Sequence, residues 1–167
     1  GQVEIDETCE AEHEQQSALP FLRFTRLTQA DDAIREFAAQ HARAHSDRNG
    51  LIDLMHALNA HIVYQPGVTE VDTSAAEAFA GRRGVCQDHT HAFLACARSL
   101  GVPARYVAGS LYTDDAEHLA SHAWAEAWVG DAWYSFDVTN CLARPERHPK
   151  LAVGLDYLDA CPVRGMR

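Results

Sequence analysis

The sequence predicts an α+β fold, with helices first and a meander of strands after them. Three observations carry this prediction. Apolar residues recur at helical spacing between 29 and 64, and again between 86 and 100. Residues 120–129 alternate with period two, with His122, Trp124, Glu126 and Trp128 on one face and alanines and Val129 on the other. Gly130-Asp131 then separates that run from a second strand-like run, Ala132–Val138, as the turn of a hairpin would.

Taken in order, residues 1–20 are polar and acidic (Glu4, Asp6, Glu7, Glu10, Glu12, Glu14) and read as an extended lead-in. Residues 21–27 fit either a short strand or an extended connector. Thr28 can accept from the free amides of a first helical turn, and Asp31 and Asp32 suit the positive end of a helix dipole. Ile34, Phe37, Ala38 and His41 then share a face, so a helix is expected over about 29–45. A polar break at Ser46–Gly50 precedes a second helix, with Leu51, Leu54, Met55, Leu58 and Ile62 in register. It should end near Tyr64, because Pro66-Gly67 cannot continue it. Thr73 or Ser74 caps a short helix, Ala75–Ala80, and 81–84 breaks the chain. The next helix runs from Cys86 to about Leu100, with Phe93, Leu94, Ala97 and Leu100 as its core stripe. Gly101 suits a left-handed cap, and Pro103 forbids extension. Ala104–Tyr112 is strand-like, and Thr113–Leu119 is a polar connector. Residues 140–167 carry Pro145, Pro149 and Pro162, with one short segment at Leu151–Val153. The expected organisation is a lead-in, 1–27, and one core, 28–167.

A chain of 167 residues fits one domain. Its net charge of −10 argues against a nucleic-acid-binding face, which needs clustered Lys and Arg, and against an anionic membrane surface. No run approaches the ~20 apolar residues of a membrane span, and no signal peptide is visible. Five cysteines with no CxxC pair favour a reducing compartment, so a cytoplasmic location is expected. The start at Gly1 rather than Met suggests processing or lost upstream sequence.

Cys86 follows a Gly84-Val85 step and stands at a helix start, where free N–H groups and the dipole favour a thiolate. Its own amide is a reasonable oxyanion donor, and Gly84 leaves room for a substrate to approach. The competing reading is a buried structural thiol like Cys96. If Gly130-Asp131 is the hairpin turn, Val129 opposes Ala132 and His122 faces Thr139. Asp137 then lies diagonally from His122 on the same face, roughly 7–8 Å away, within reach of a hydrogen bond. Such an Asp would fix the imidazole tautomer and stabilise an imidazolium beside a thiolate. The competing reading is a surface hairpin, which would leave Trp124 and Trp128 exposed.

Metal ligation is disfavoured. Cys86, His89, His91 and Cys96 cluster in sequence, but i and i+2 on one helix do not share a face. His91 reads as a packing residue near Cys86, and Asp88 as a helix cap. Tyr64 is a candidate second oxyanion donor. No cofactor is called for, and there is no Ca²⁺ loop pattern.

Gly84-Val-Cys-Gln-Asp-His-Thr-His91, Gly101-Val-Pro-Ala-Arg-Tyr-Val-Ala-Gly109, Ser121-His-Ala-Trp124 and Trp133-Tyr-Ser-Phe-Asp-Val-Thr-Asn140 together resemble the bacterial transglutaminase-like superfamily. Ala152-Val-Gly-Leu-Asp-Tyr157 and Pro162-Val-Arg-Gly165 look like the end of that group. The likeness runs from about Tyr64 to the C-terminus and is weaker back to residue 29. It implies a papain-like α+β core, with a nucleophile helix on an antiparallel sheet and a triad in the order Cys, His, Asp. By position Cys86 is the nucleophile, His122 the base and acid, and Asp137 its orienter. His89 departs from the resemblance, which more often has an aromatic apolar residue there. Members usually carry a β-rich domain ahead of the core, so such a domain in the parent protein is a possible partner. The expected activity is hydrolysis or acyl transfer at peptide or protein amide bonds through a thioester, with hydrolysis favoured. The alternative is a non-catalytic peptide- or protein-binding module.

Overall fold

The computed structural model describes residues 11–12, 16–42, 47–112, 119–144 and 149–161. In chain order the elements are β1 (Ala11–Glu12), a 3-10 turn (Leu19–Leu22), α1 (Asp32–His41), α2 (Arg48–His61), β2 (Val63–Tyr64), α3 (Ala75–Gly81), β3 (Arg83–Gly84), α4 (Cys86–Ser99), β4 (Ala104–Tyr112), β5 (Leu119–Val129), β6 (Ala132–Phe136), β7 (Lys150–Gly154) and α5 (Tyr157–Ala160). The α+β class holds: the described residues form five α-helices, an antiparallel sheet in the order β1-β6-β5-β4-β7 and a two-stranded β2-β3 sheet. The acidic stretch 1–10, the connector 113–118, and Pro145 and Pro162 lie outside the described residues.

Local chemistry sets where the helices begin. The Asp31 carboxylate accepts from the Ile34 N–H at 2.9 Å, so α1 starts after Asp31 rather than after Thr28. Thr28 is instead buried, its hydroxyl accepting from the Thr25 N–H and from Arg98 Nη1. Asp47 caps α2 by accepting from Gly50 at 2.8 Å, so that helix begins inside the expected polar break. It stops at His61, short of Tyr64, because the chain turns extended and β2 pairs in parallel with β3. Ser74 caps α3 in a reciprocal box with Glu77.

α4 is buried all round from Asp88 to Arg98, not along one stripe. The sheet covers one side of it, and α1, α2 and α3 cover the other. Small residues make this possible, since Ala92, Ala95 and Ala97 let neighbours approach closely. The Arg98 guanidinium donates to the carbonyls of Phe21, Ala104 and Leu155 and so joins three distant segments. Burial lowers its pKa to about 10.

The β5–β6 hairpin has the expected register, from Val129 opposite Ala132 to Ala125 opposite Phe136. Both turn residues take positive φ, 56° at Gly130 and 72° at Asp131, which matches the twist of the flanking strands. Trp124 and Trp133 are buried. Phe21 packs edge-on against Trp133, and Arg105 lies 4.1 Å over the same ring while donating to Glu126 at 2.7 Å. Residues of the lead-in thus close the back of the sheet. The short segment at 151–153 is part of β7, an edge strand on β4, and α5 follows it after an Asp156 cap.

Candidate active site

Cys86 is the first residue of α4, so its N–H is one of the four that the helix leaves free. The turn before it is held by Asp88, whose Oδ2 accepts from the Val85 N–H at 2.9 Å and from the Thr69 hydroxyl at 2.6 Å. Val85 has no side-chain acceptor to return the bond, so this is half of a capping box. Asp88 therefore serves as the cap the sequence suggested. Gly84 has a different reason from the expected one: a Cβ there would lie 2.6 Å from Asp88 Cβ and Oδ2. The glycine makes room for the cap, not for a substrate.

His122 sits near the start of β5, and Asp137 directly follows β6. The hairpin register brings them together: His122 Nε2–H donates to Asp137 Oδ2 at 2.8 Å. Cys86 lines the same cleft as this imidazole, near enough for its thiol to help raise the His122 pKa. All three residues singled out in the sequence therefore meet. Burial by itself pulls the His122 pKa down, but the hydrogen bond to Asp137 and the Cys86 thiol outweigh it and raise the value to about 9. The ring also stacks on Trp124, with centroids 6.0 Å apart.

Sequence reasoning missed the groups that hold Asp137. Asn140 donates from its backbone N–H to Oδ1 at 3.2 Å and from its side chain to Oδ2 at 2.9 Å. Asp137 also pairs through its backbone with Leu142, so residues 137–142 form a tight loop. Asn59, on α2, donates to the carbonyls of Val138 and Thr139. An Asp followed three residues later by Asn was the available signal for the first of these contacts. Asn59 carried none, because its partners lie on a distant segment.

The helix histidines diverge. His89 Nε2–H donates to the Ile62 carbonyl at 2.7 Å, so Nδ1 accepts from the Thr139 hydroxyl at 2.8 Å. This ties the nucleophile's helix to the loop that carries Asp137. Burial holds the His89 pKa below the usual imidazole range. His91 turns the other way, its Nε2 accepting from the Tyr157 N–H at 3.1 Å. Burial lowers its pKa to about 4. Cys96 is fully enclosed, and burial pushes its thiol far up. Tyr64 is more than half exposed, its ring 6.5 Å from His89, and it is not among the residues that line the cleft. Among the described residues no three His, Cys, Asp or Glu side chains group as metal ligands.

Cys86 and His122 open onto a cleft of about 430 Å³. Its walls come from Val85 just before α4 and Gln87 on it, Tyr106, Ala108 and Gly109 on β4, Ser121 and Ala123 on β5, Leu151 on β7, and Tyr157 and Cys161 around α5. No helix among the described residues is long and apolar enough to cross a membrane.

The family profile described as the transglutaminase-like superfamily matches residues 35–138. An uncharacterised protein of Mycobacterium leprae is 32% identical over 151 residues, covering 87% of this chain and 54% of its own length. An uncharacterised Mycobacterium tuberculosis protein is also 32% identical, over 81% of this chain and 47% of its own length. The chain thus spans about half the length of these relatives. A crystal structure from Cytophaga hutchinsonii, provisionally described as a cysteine protease, superposes with a TM-score of 0.76 at 29% identity, covering 86% of this chain and 49% of that one. The periplasmic domain of TgpA from Pseudomonas aeruginosa shares the fold, with a TM-score of 0.54 at 24% identity over 74% of this chain and 47% of that one. With the profile spanning more than half of the sequence, the chain belongs to the transglutaminase-like superfamily.

Proposed function

We propose that this protein is a cysteine-dependent hydrolase or acyltransferase acting on amide bonds of peptides or proteins, with hydrolysis as its main outcome. Cys86 is the nucleophile, His122 the general base and acid, and Asp137 the orienter. The observation that carries the reading is the His122–Asp137 hydrogen bond facing, across one cleft, a thiol at the N-terminus of a buried helix. The transglutaminase-like fold and the likeness to the Cytophaga structure support an enzyme of this class.

In the reaction, the Cys86 thiolate attacks the amide carbonyl carbon and forms a C–S bond. Negative charge moves to the carbonyl oxygen, where the free Cys86 N–H can donate to it. The His122 imidazolium gives its proton to the leaving nitrogen, the C–N bond breaks, and a thioester remains. Water then attacks the thioester while His122 takes its proton. Collapse releases the acid and returns the thiol. Asp137 keeps the Nε2–H pointed at itself, which leaves Nδ1 to exchange protons with sulfur and substrate. An amine in place of water gives transfer. Hydrolysis is favoured because the described cleft-lining residues include no Asp or Glu to hold a cationic amine.

The test is a peptide library read by mass spectrometry for cleavage, deamidation and cross-linking, with wild type and Cys86→Ala compared. The expected result is turnover by the wild type that Cys86→Ala abolishes. Equal turnover by both proteins would overturn the reading. Selective iodoacetamide labelling of Cys86 over Cys96 below neutral pH is expected as well. Uniformly slow labelling would favour a non-catalytic peptide-binding module.

A further inference from the structure

Apart from Cys86 and His122, the described walls of the cleft carry no charge in a strongly acidic protein. The net charge is −10, yet among the described residues lining the cleft there is no Asp, Glu, Lys or Arg. Unselective electrostatics would make a basic peptide the default ligand of such a molecule. The walls point elsewhere.

Apolar side chains stand exposed in two segments near Cys86. One holds Val71, 56% exposed. Its carbonyl accepts from the Gln87 side chain at 2.9 Å, which fixes the 68–71 loop beside the residue that follows the nucleophile. Val68, in the same loop, is also exposed. The other holds Leu151, 66% exposed although it lines the cleft, with Val153 two residues further along. Both belong to β7, which among the described residues pairs only with β4 and lies at the end of the sheet order. An edge strand with bare aliphatic side chains is a liability that proteins usually mask with charge. Retaining it beside a reaction centre fits a binding role, because exposed apolar rims mark recognition surfaces. Tyr157 adds an aromatic wall, held in place by the bond from its N–H to His91.

We infer that the cleft selects an extended peptide segment with uncharged, apolar side chains next to the scissile amide, with Leu151 the chief determinant. This rests on the proposed reaction only in taking Cys86 as the centre of the track. A 430 Å³ cleft lies near the small end of the range for ligand sites, about 300–1,000 Å³, and so suits one or two side chains rather than a folded surface. The exposed aliphatic residues nearby extend recognition beyond it.

The experiment uses the full chain carrying Cys86→Ala, which binds without turning over. Three fluorescein-labelled octapeptides, one aliphatic, one lysine-rich and one glutamate-rich, are titrated by anisotropy at low and high salt. The aliphatic peptide is expected to bind about tenfold or more tighter than either charged one, with little salt dependence. Adding Leu151→Asp should weaken it about 30-fold, the loss of one buried leucine contact. Leu19→Asp, an equally exposed leucine outside the cleft, should change nothing. Tighter, salt-sensitive binding of the lysine peptide, no binding of any peptide, or indifference to Leu151→Asp would overturn the inference. The two readings fail separately. Aliphatic binding with no turnover by wild type breaks the reaction and leaves the specificity standing. Equal turnover of all three peptides does the reverse.

Discussion

Two buried histidines of this protein are held in opposite charge states. His122 and His91 are both about nine-tenths or more shielded from solvent, and both lie within reach of the same cleft wall. Desolvation disfavours the cation at each. At His122 the Asp137 carboxylate and the Cys86 thiol more than offset that loss, and the pKa rises to about 9. At His91 no carboxylate among the described residues bonds the ring, which accepts only from a backbone N–H, so burial prevails and the pKa falls to about 4. The difference teaches that burial does not decide a histidine's role. Its hydrogen-bond partner does.

The two should leave opposite marks on stability. His122 is raised, so its contribution is complete below about pH 6.5 and is lost as pH rises through about 9. His91 is lowered, so its contribution is complete above about pH 6.5 and is lost as pH falls toward about 4.

The contrast breaks most severely at Asp137. Asp137→Asn should cut turnover on the order of 10⁴-fold, because the amide no longer enforces the tautomer. NMR titration of His122 should show its pKa falling from about 9 toward the ordinary value, since only the thiol then opposes desolvation. In the wild type, turnover should decline above about pH 9 as the imidazolium deprotonates, and that alkaline limb should move to lower pH in the variant. A His122 signal that still titrates near 9 in the variant would show that Asp137 is not the cause.

The next effect is at His89, lowered by burial like His91 but bridging helix and loop. His89→Phe removes the tie between the Ile62 carbonyl and the Thr139 hydroxyl. Loosening the Asp137 loop should lower kcat about 10- to 100-fold with KM little changed. His89→Gln keeps a donor and an acceptor and should restore most of the loss. If both variants lose only thermal stability, the tie is packing alone.

The smallest effect is at His91. Between pH 7 and pH 5 its linkage should cost about 2 kcal/mol of folding stability, read as a lower urea midpoint. His91→Met has no group to titrate, so its stability should start lower but show a flatter slope over that range. Parallel slopes in the two proteins would place the acid sensitivity elsewhere.

Much of this was legible in the chain because it is local. Hairpin register follows from a two-residue turn and a period of two, so Gly130-Asp131 was enough to bring His122 and Asp137 onto one side. The start of α4 was legible from Gly84 and Asp88, and its end from Gly101 and Pro103. The misread boundaries were those where two short polar residues compete for one cap. Thr28 lost to Asp31 because Arg98, seventy residues on, claims its hydroxyl. The all-round burial of α4 was not legible either, since one helix's pattern reports its own faces and not how many layers will cover them.

The sequence by itself determined the α+β class, the hairpin and the three residues that converge in the cleft, because each rests on spacing within a few residues of chain. Only the tertiary structure decided that Gly84 serves Asp88, that His91 stays neutral, and that Asn59, Asn140 and His89 brace the loop of Asp137. Those roles depend on which donor or acceptor arrives from a distant segment, and burial makes that single partner outweigh the residue's own propensities.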